Sequence, residues 1–137
     1  MRRRYRLRTD AQFRRVRSEG RSWAHPLLVL YALPNDEGVT RVGFSVGKRV
    51  GKAVARNRAK RLLREAVRLR FEDIGPGYDL IWIARAPIAT ATFREVAAAV
   101  DQLLRRSRLG QLAGNGEVEN GPREGRPGGG QDTAQGL

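Results

Sequence analysis

The sequence has no cysteine, only one histidine, and about half as many acidic as basic residues. Without cysteine the chain cannot form a disulfide or use a thiol, and a single histidine leaves no Cys/His cluster to bind zinc. The spacing of the other residues shows no nucleophile beside a general base. The sequence therefore indicates no catalytic side chain, and it leaves any metal position unknown.

Long hydrophobic runs are also missing. No apolar stretch approaches the roughly 18 residues of a transmembrane helix, and the basic start of the chain lacks the apolar segment of a signal peptide. We therefore expect no membrane partner, and the simplest expectation is a cytoplasmic protein.

Positive charge is what the chain has in excess. It carries 27 Lys or Arg against 14 Asp or Glu, a net charge of +13. Self-repulsion of this size destabilises a compact state, so we expect a polyanionic partner. Residues 111–137 differ, because they are rich in glycine, lack aromatic residues and have two arginines against four acids. We predict a folded domain over residues 1–110 and a disordered Gly-rich tail over residues 111–137.

Two predicted helices begin at recognisable capping boxes, Thr9–Gln12 and Thr92–Glu95. A third helix, from Lys52 to Arg70, has an apolar stripe at the spacing of a buried helical face. Together with the loop before it, this region holds ten Lys or Arg and one acid, Glu65. A solvated charged face is the usual explanation of such a run. Here the cations repel one another unless a partner neutralises them, and RNA fits best.

The strands complete the predicted fold. Residues 27–33 and 41–46 are predicted as strands paired in a hairpin, with a short edge strand near residues 21–24. Residues 78–84 are apolar on both faces and are predicted as a central strand. The order helix–strands–helix–strand–helix indicates an α+β fold, a small α/β sandwich with helices packed against a sheet.

A second candidate surface pairs Phe13 on the first helix with Tyr31 on the first long strand. These elements could form two walls of a groove whose aromatic rings stack on single-stranded RNA, at roughly 1–3 kcal/mol per base. The alternative, that Phe13 is an ordinary core residue, stays open at this point.

The segment Ala55–Glu65, which contains Arg56-Asn57-Arg58, resembles the RNR signature of the protein subunit of bacterial ribonuclease P. The resemblance extends over about residues 5–107. Its supporting motifs are Phe13 with Val16 and Gly20, Leu28–Tyr31, Arg41–Val46, and Asp79–Arg85 followed by Pro87.

The resemblance implies an α/β sandwich with a left-handed crossover into the basic helix. It also implies a protein that binds a catalytic RNA subunit, with which it removes the 5′ leader of precursor tRNA by hydrolysis. The RNA performs this chemistry with Mg²⁺. In the family, the basic helix and the loop before it contact the catalytic RNA. That role falls here on Lys48, Arg49, Lys52, Arg56, Asn57, Arg58, Lys60, Arg61, Arg64 and Arg68.

The family's groove between the first helix and the sheet holds the leader, and that role falls here on Phe13, Arg17 and Tyr31. Arg17 stands where a second aromatic residue is often found, so we expect weaker stacking there and a stronger phosphate contact. Gly47 likewise replaces a common polar residue.

Three other functions compete with this interpretation. A structural RNA binder such as a ribosomal protein would share the charge but give no processing activity. A protein-only nuclease would cleave without an RNA subunit. A DNA-binding regulator is disfavoured, because the basic helix lacks a dimerising heptad or a paired helix-turn-helix, so no DNA partner is expected.

Overall fold

The computed structural model describes residues 5–109, which form three α-helices and one four-stranded sheet. The predicted tail lies outside the described residues. The elements are α1 (Asp10–Glu19), β1 (Arg21–Ala24), β2 (Leu28–Pro34), β3 (Arg41–Ser45), α2 (Ala53–Arg70), β4 (Tyr78–Ala84) and α3 (Phe93–Ser107). The predicted α+β class, the edge strand and the helix order are confirmed.

The sheet has the strand order β1-β2-β4-β3. β2 runs antiparallel to β1 and β4, whereas β3 runs parallel to β4. The predicted hairpin between the second and third strands is therefore wrong, because β4 lies between them. The physical reason is burial. Every residue of β4 after Tyr78 is buried, so this strand takes the central position, and the more exposed β3 is left at an edge.

β3, α2 and β4 form a crossover connection between two neighbouring parallel strands. Parallel neighbours cannot be joined by a tight turn, so the chain must travel back along the sheet, and α2 makes that return. The left hand that the resemblance implies for this crossover stays a prediction.

The two faces of the sheet have separate cores. Leu80 and Trp82 point toward α2 and α3, where they join Leu63 of α2 in one apolar cluster. The alternate residue of β4, Ile81, points to the other face and packs with Val16 of α1. This alternation follows from the two-residue period of a strand. The basic helix and α1 therefore lie on opposite faces of one sheet.

The start and end of α1 are fixed by local chemistry. The Thr9 hydroxyl accepts from the Gln12 backbone N–H at 3.1 Å, and the Gln12 side chain accepts from the Thr9 N–H at 3.1 Å, so the predicted capping box is confirmed. At the other end, a Cβ on Gly20 would lie 2.6 Å from two carbonyl oxygens, those of Val16 and Ala32. Only glycine lets the helix end this close to β2.

A buried ion pair fastens β3 to β4 at one end of the sheet. The Arg41 guanidinium donates to both carboxylate oxygens of Asp79 at 2.8 Å, and the Asn35 side-chain amide donates to the same carboxylate at 2.7 Å. The Asp79 side chain is only 3% exposed. Its hydrogen bonds to Arg41 raise the pKa of that guanidinium. Because both carboxylate oxygens accept hydrogen bonds from side chains of the protein, this carboxylate serves the fold.

Candidate nucleic-acid interface

The inner side of α2 is the apolar stripe predicted from the sequence. Ala59, Leu63, Ala66 and Val67 are buried, and Leu62 is half-buried against the same core. This packing fixes which side of the helix faces outward.

The outward side of α2, together with the loop before it, carries the cations; we call this surface the basic face. Five of its members form no ion pair, side-chain hydrogen bond or ring contact among residues 5–109. They are Lys48, Arg49, Lys52, Lys60 and Arg61. All except the half-buried Lys60 are exposed. Their charge is thus left for an external anion.

The loop Gly47–Lys52 carries three of these cations. It forms a short 3-10 turn, Lys48–Val50, in which Val50 is buried and Lys48 and Arg49 are exposed. Gly51 closes the turn with φ of +143°, a conformation that favours glycine. The loop is therefore anchored on its apolar side and cationic on its outer side.

Two arginines of the RNR signature have bonds within the protein. Arg56 Nε donates to the Gly51 carbonyl at 3.1 Å. The Arg58 guanidinium donates to the carbonyls of Ala89 and Ala91 at 3.2 and 2.8 Å. These bonds tie the first turns of α2 to the loop before it and to the segment before α3. Direct RNA contacts by Arg56 and Arg58 stay predictions, as does one by the exposed Asn57.

Further along α2 the cations meet other side chains. Arg64 lies with its guanidinium carbon 6.0 Å from the centre of the Phe44 ring on β3. Arg68 pairs with Glu65 at 2.7 Å, and this bond lowers the pKa of Glu65 and raises that of Arg68. Both partners are largely exposed, so water and salt screen the pair and Arg68 can exchange Glu65 for a phosphate. Phe44 is half-buried at the sheet edge, and no sequence signal marked its contact with Arg64.

On the opposite face of the sheet, the structure brings Phe13, Arg17 and Tyr31 together. A row of paired residues, Tyr31–Ile81–Gly43, crosses three strands there. Phe13 packs against the β3 end of this row. A Cβ added to Gly43 would be only 2.4 Å from Phe13 Cζ. Phe13 is half-buried and packs against the apolar cluster on this face, and its role in a leader groove stays a prediction.

Tyr31 lies at the other end of the same row and is only 1% exposed. The Arg17 guanidinium carbon lies 5.9 Å from the centre of the Tyr31 ring, within the range of a cation–π contact. Arg17 and Tyr31 also line an open hollow beside α1. A ligand entering this part of the groove would therefore meet Arg17 before Tyr31.

His25 lies in the loop between β1 and β2. Its ring Nδ1 accepts from the Leu27 backbone N–H at 3.0 Å. Burial, then the charges of Arg106 and Arg85, lower its pKa below the usual 6.5. The ring is therefore neutral at pH 7, and it shapes the loop by accepting this bond.

Among residues 5–109, no group of three or more His, Cys, Asp or Glu side chains is arranged to hold a metal ion. None of the helices in that range is both long and apolar enough to cross a membrane.

The chain matches the family model described as Ribonuclease P over residues 1–108. It is 48% identical over 114 residues to the ribonuclease P protein component of Roseiflexus castenholzii, an alignment that covers 82% of this chain and 93% of that protein. The corresponding Clostridioides difficile protein is 44% identical over 104 residues, which cover 75% of this chain and 91% of that protein.

Solved structures give the same result. The RNase P protein of Staphylococcus aureus matches with a TM-score of 0.72 and 32% identity, covering 78% of this chain and 98% of that one. The RNase P protein of Thermotoga maritima matches with a TM-score of 0.66 and 30% identity, covering 73% of this chain and 96% of that one.

Proposed function

Because the chain belongs to the bacterial ribonuclease P protein family, we propose how its two surfaces divide the RNA partners of that enzyme. The protein is a subunit of an endoribonuclease that, together with an RNA subunit, removes the 5′ leader of precursor tRNA. In this proposal the basic face binds the catalytic RNA. The groove between α1 and the sheet, lined by Phe13, Arg17 and Tyr31, binds the leader.

The observation that carries the first assignment is a set of five cations on one surface that, among residues 5–109, form no ion pair, side-chain hydrogen bond or ring contact. Two of them stand on α2, whose other side is packed into the core, and three stand on the loop anchored by Val50, so the backbone holds all five on one surface before RNA arrives. Preorganised charges attract a polyanion without first losing side-chain partners of their own. Arg64 and Arg68, which have weak partners, extend the same surface.

The leader assignment rests on the groove's chemistry. Phe13 offers an apolar ring edge, and Arg17 offers a cation within one helical turn of it. An aromatic group beside a cation suits single-stranded RNA, because each nucleotide brings a π-face and a phosphate. Since the two surfaces lie on opposite faces of the sheet, both RNAs can be bound at once.

Mg²⁺ enters this proposal through the RNA. The described side chains do not form a group that could hold a metal ion, and Asp79 is already bonded to Arg41 and Asn35. Phosphate oxygens of the catalytic RNA are hard ligands of the kind Mg²⁺ prefers. The protein's own contribution is to bind the two RNAs and neutralise their charge.

Cleavage of precursor tRNA at low Mg²⁺ tests the proposal. The assay has three arms: this protein alone, a bacterial ribonuclease P RNA alone, and the two together. Cleavage mainly in the mixture is expected. Cleavage by the protein alone would indicate a protein nuclease, and no stimulation of the RNA would indicate a structural RNA binder.

We further propose that residues 1–110 carry both binding roles and that the protein works in the cytoplasm, where it meets precursor tRNA. A chain ending at residue 110 should stimulate the RNA subunit as well as the full chain does. A loss of stimulation on removal of residues 111–137 would show that the tail takes part.

A further inference from the structure

We infer that the leader's stacking platform in this chain is the Arg17 guanidinium, and that Tyr31 is a positioning residue which holds that guanidinium in place. The inference rests on the proposed leader-binding groove and specifies which chemical group in it contacts a base. It concerns one nucleotide of the single-stranded leader.

The first observation is the burial of Tyr31. The side chain is 1% exposed, so its ring face offers almost no area to a base. Phe13 differs, because it is half-buried and retains exposed area. A stacking role for Tyr31 itself would require Arg17 to leave the ring. A stacking role for Arg17 requires no rearrangement.

The second observation is the environment of Arg17. Its guanidinium carbon lies 5.9 Å from the Tyr31 ring centre, and among residues 5–109 it takes part in no ion pair. By contrast Arg15, two residues earlier on the exposed side of α1, pairs with Glu19. The Arg17 guanidinium thus rests on the Tyr31 ring, is not neutralised by an ion pair within residues 5–109, and has one side turned outward.

The guanidinium group of Arg17 can itself serve as a platform for a base. A guanidinium is planar, and bases stack on it as they stack on aromatic rings. Phe13 and Arg17 lie one turn apart on the same side of α1, so they present two consecutive platforms along one wall of the groove. Lysine has no planar group, so it can supply the charge of Arg17 but cannot supply the platform.

The experiment uses the protein assembled with a ribonuclease P RNA. The readout is the affinity for precursor tRNA divided by the affinity for mature tRNA, which isolates the leader's contribution. The variants are Arg17→Ala, Arg17→Lys, Tyr31→Leu and Phe13→Ala, with Arg105→Ala as a control that removes one exposed charge from α3. If Phe13→Ala unfolds below the assay temperature, Gly43→Ala is used in its place, because the added methyl displaces the Phe13 ring.

Arg17→Ala is expected to lower the ratio about tenfold, within the range for one stacked base. Arg17→Lys should lower it nearly as much. Tyr31→Leu, which removes the ring beneath the guanidinium, should also lower it, and Arg105→Ala should leave it unchanged. On a series of leaders with one abasic nucleotide each, the Arg17→Ala loss should disappear at a single position, because that leader has no base to stack.

The outcomes separate this inference from the proposed function. If neither Phe13→Ala nor Gly43→Ala changes the ratio, the groove does not hold the leader and both ideas fail. If these variants lower the ratio but Arg17→Lys equals the wild type, Arg17 is a phosphate contact and the platform is refuted. Tighter binding by Arg17→Ala would show that Arg17 merely covers Tyr31. A loss that persists on every abasic leader would also overturn the inference.

Discussion

Neutralising two cations of the basic face should reduce both the affinity for the catalytic RNA and its dependence on salt. Arg61 has no ion-pair partner among the described residues, and Arg64 has only the Phe44 ring. Each phosphate contact contributes about 0.7–0.9 to the slope of log K against log salt. The double variant Arg61→Ala/Arg64→Ala should therefore have a slope shallower by about 1.4–1.8.

The same numbers give the loss of affinity. At about 0.1 M salt each contact contributes about 0.7–0.9 log units, so two lost contacts weaken binding roughly 25- to 60-fold. If five or six cations meet phosphates, the wild-type slope is roughly −3.5 to −5, and the double variant keeps more than half of it.

The matched control is Arg70→Ala on the same helix. Its guanidinium is already bonded to Asp101 at 2.6 and 3.0 Å and to Asp73 at 3.3 Å. Removing it should cost no more than about 1 kcal/mol of folding stability and leave the salt slope unchanged. Binding of the labelled RNA subunit, followed by fluorescence anisotropy over a salt series, measures both. The reasoning is refuted if Arg70→Ala flattens the slope as much as the double variant does, or if the double variant keeps the wild-type slope.

Three further predictions concern the groove, the sheet and the loop. Gly43→Ala should displace the Phe13 ring, 2.4 Å from the new Cβ, and lower the precursor-to-mature affinity ratio roughly 5-fold or more; an unchanged ratio would contradict the placement of Phe13. Asp79→Asn should lower the free energy of unfolding by about 3 kcal/mol, because Arg41 loses a buried carboxylate that accepts two of its hydrogen bonds. Urea unfolding followed by tryptophan fluorescence measures this change, and a loss below about 1 kcal/mol would contradict this account. His25 should titrate below 6.5 by NMR. Near pH 6.5 the unfolded chain takes up a proton at His25 before the folded protein does, so the free energy of unfolding should fall as the pH drops through this value. His25→Gln should remove the part of this fall that is due to His25.

Features set by neighbouring residues were predictable from the sequence. The capping box at Thr9 needs only residues three apart, and the buried stripe of α2 follows from helical periodicity. The central position of β4 also followed from its own composition, because a strand buried on both faces needs neighbours on both sides.

Strand neighbours were not predictable in the same way. The turn-forming residues between β2 and β3 suggested a hairpin, yet the chain places β4 between them. Alternation shows which face of a strand is buried but carries no information about which strand lies alongside. The pairing of Leu28 with Ala84 joins residues too distant in sequence for a local pattern to specify.

The candidate site was predictable in outline. Charge and periodicity identify the basic face. They do not show that the Arg58 guanidinium donates to two carbonyls in the segment before α3. The sequence named Arg17 and Tyr31, but the contact between them depends on how α1 crosses the sheet. That crossing is set by packing at Gly20 and Gly43, where a missing side chain admits a close neighbour.

The central position of β4 also has a consequence for how the protein is made. β4 forms two of the three strand interfaces, yet it is the last strand to be synthesised. When the ribosome has released residues through Arg70, β2 can pair only with β1, and β3 has only an isolated bridge to Arg6. The basic helix then exists without the sheet that determines which side it presents. Pairings this distant in sequence form slowly, and the sheet can close only after Ala84 has left the ribosome, so we expect the basic helix to take its final orientation only then.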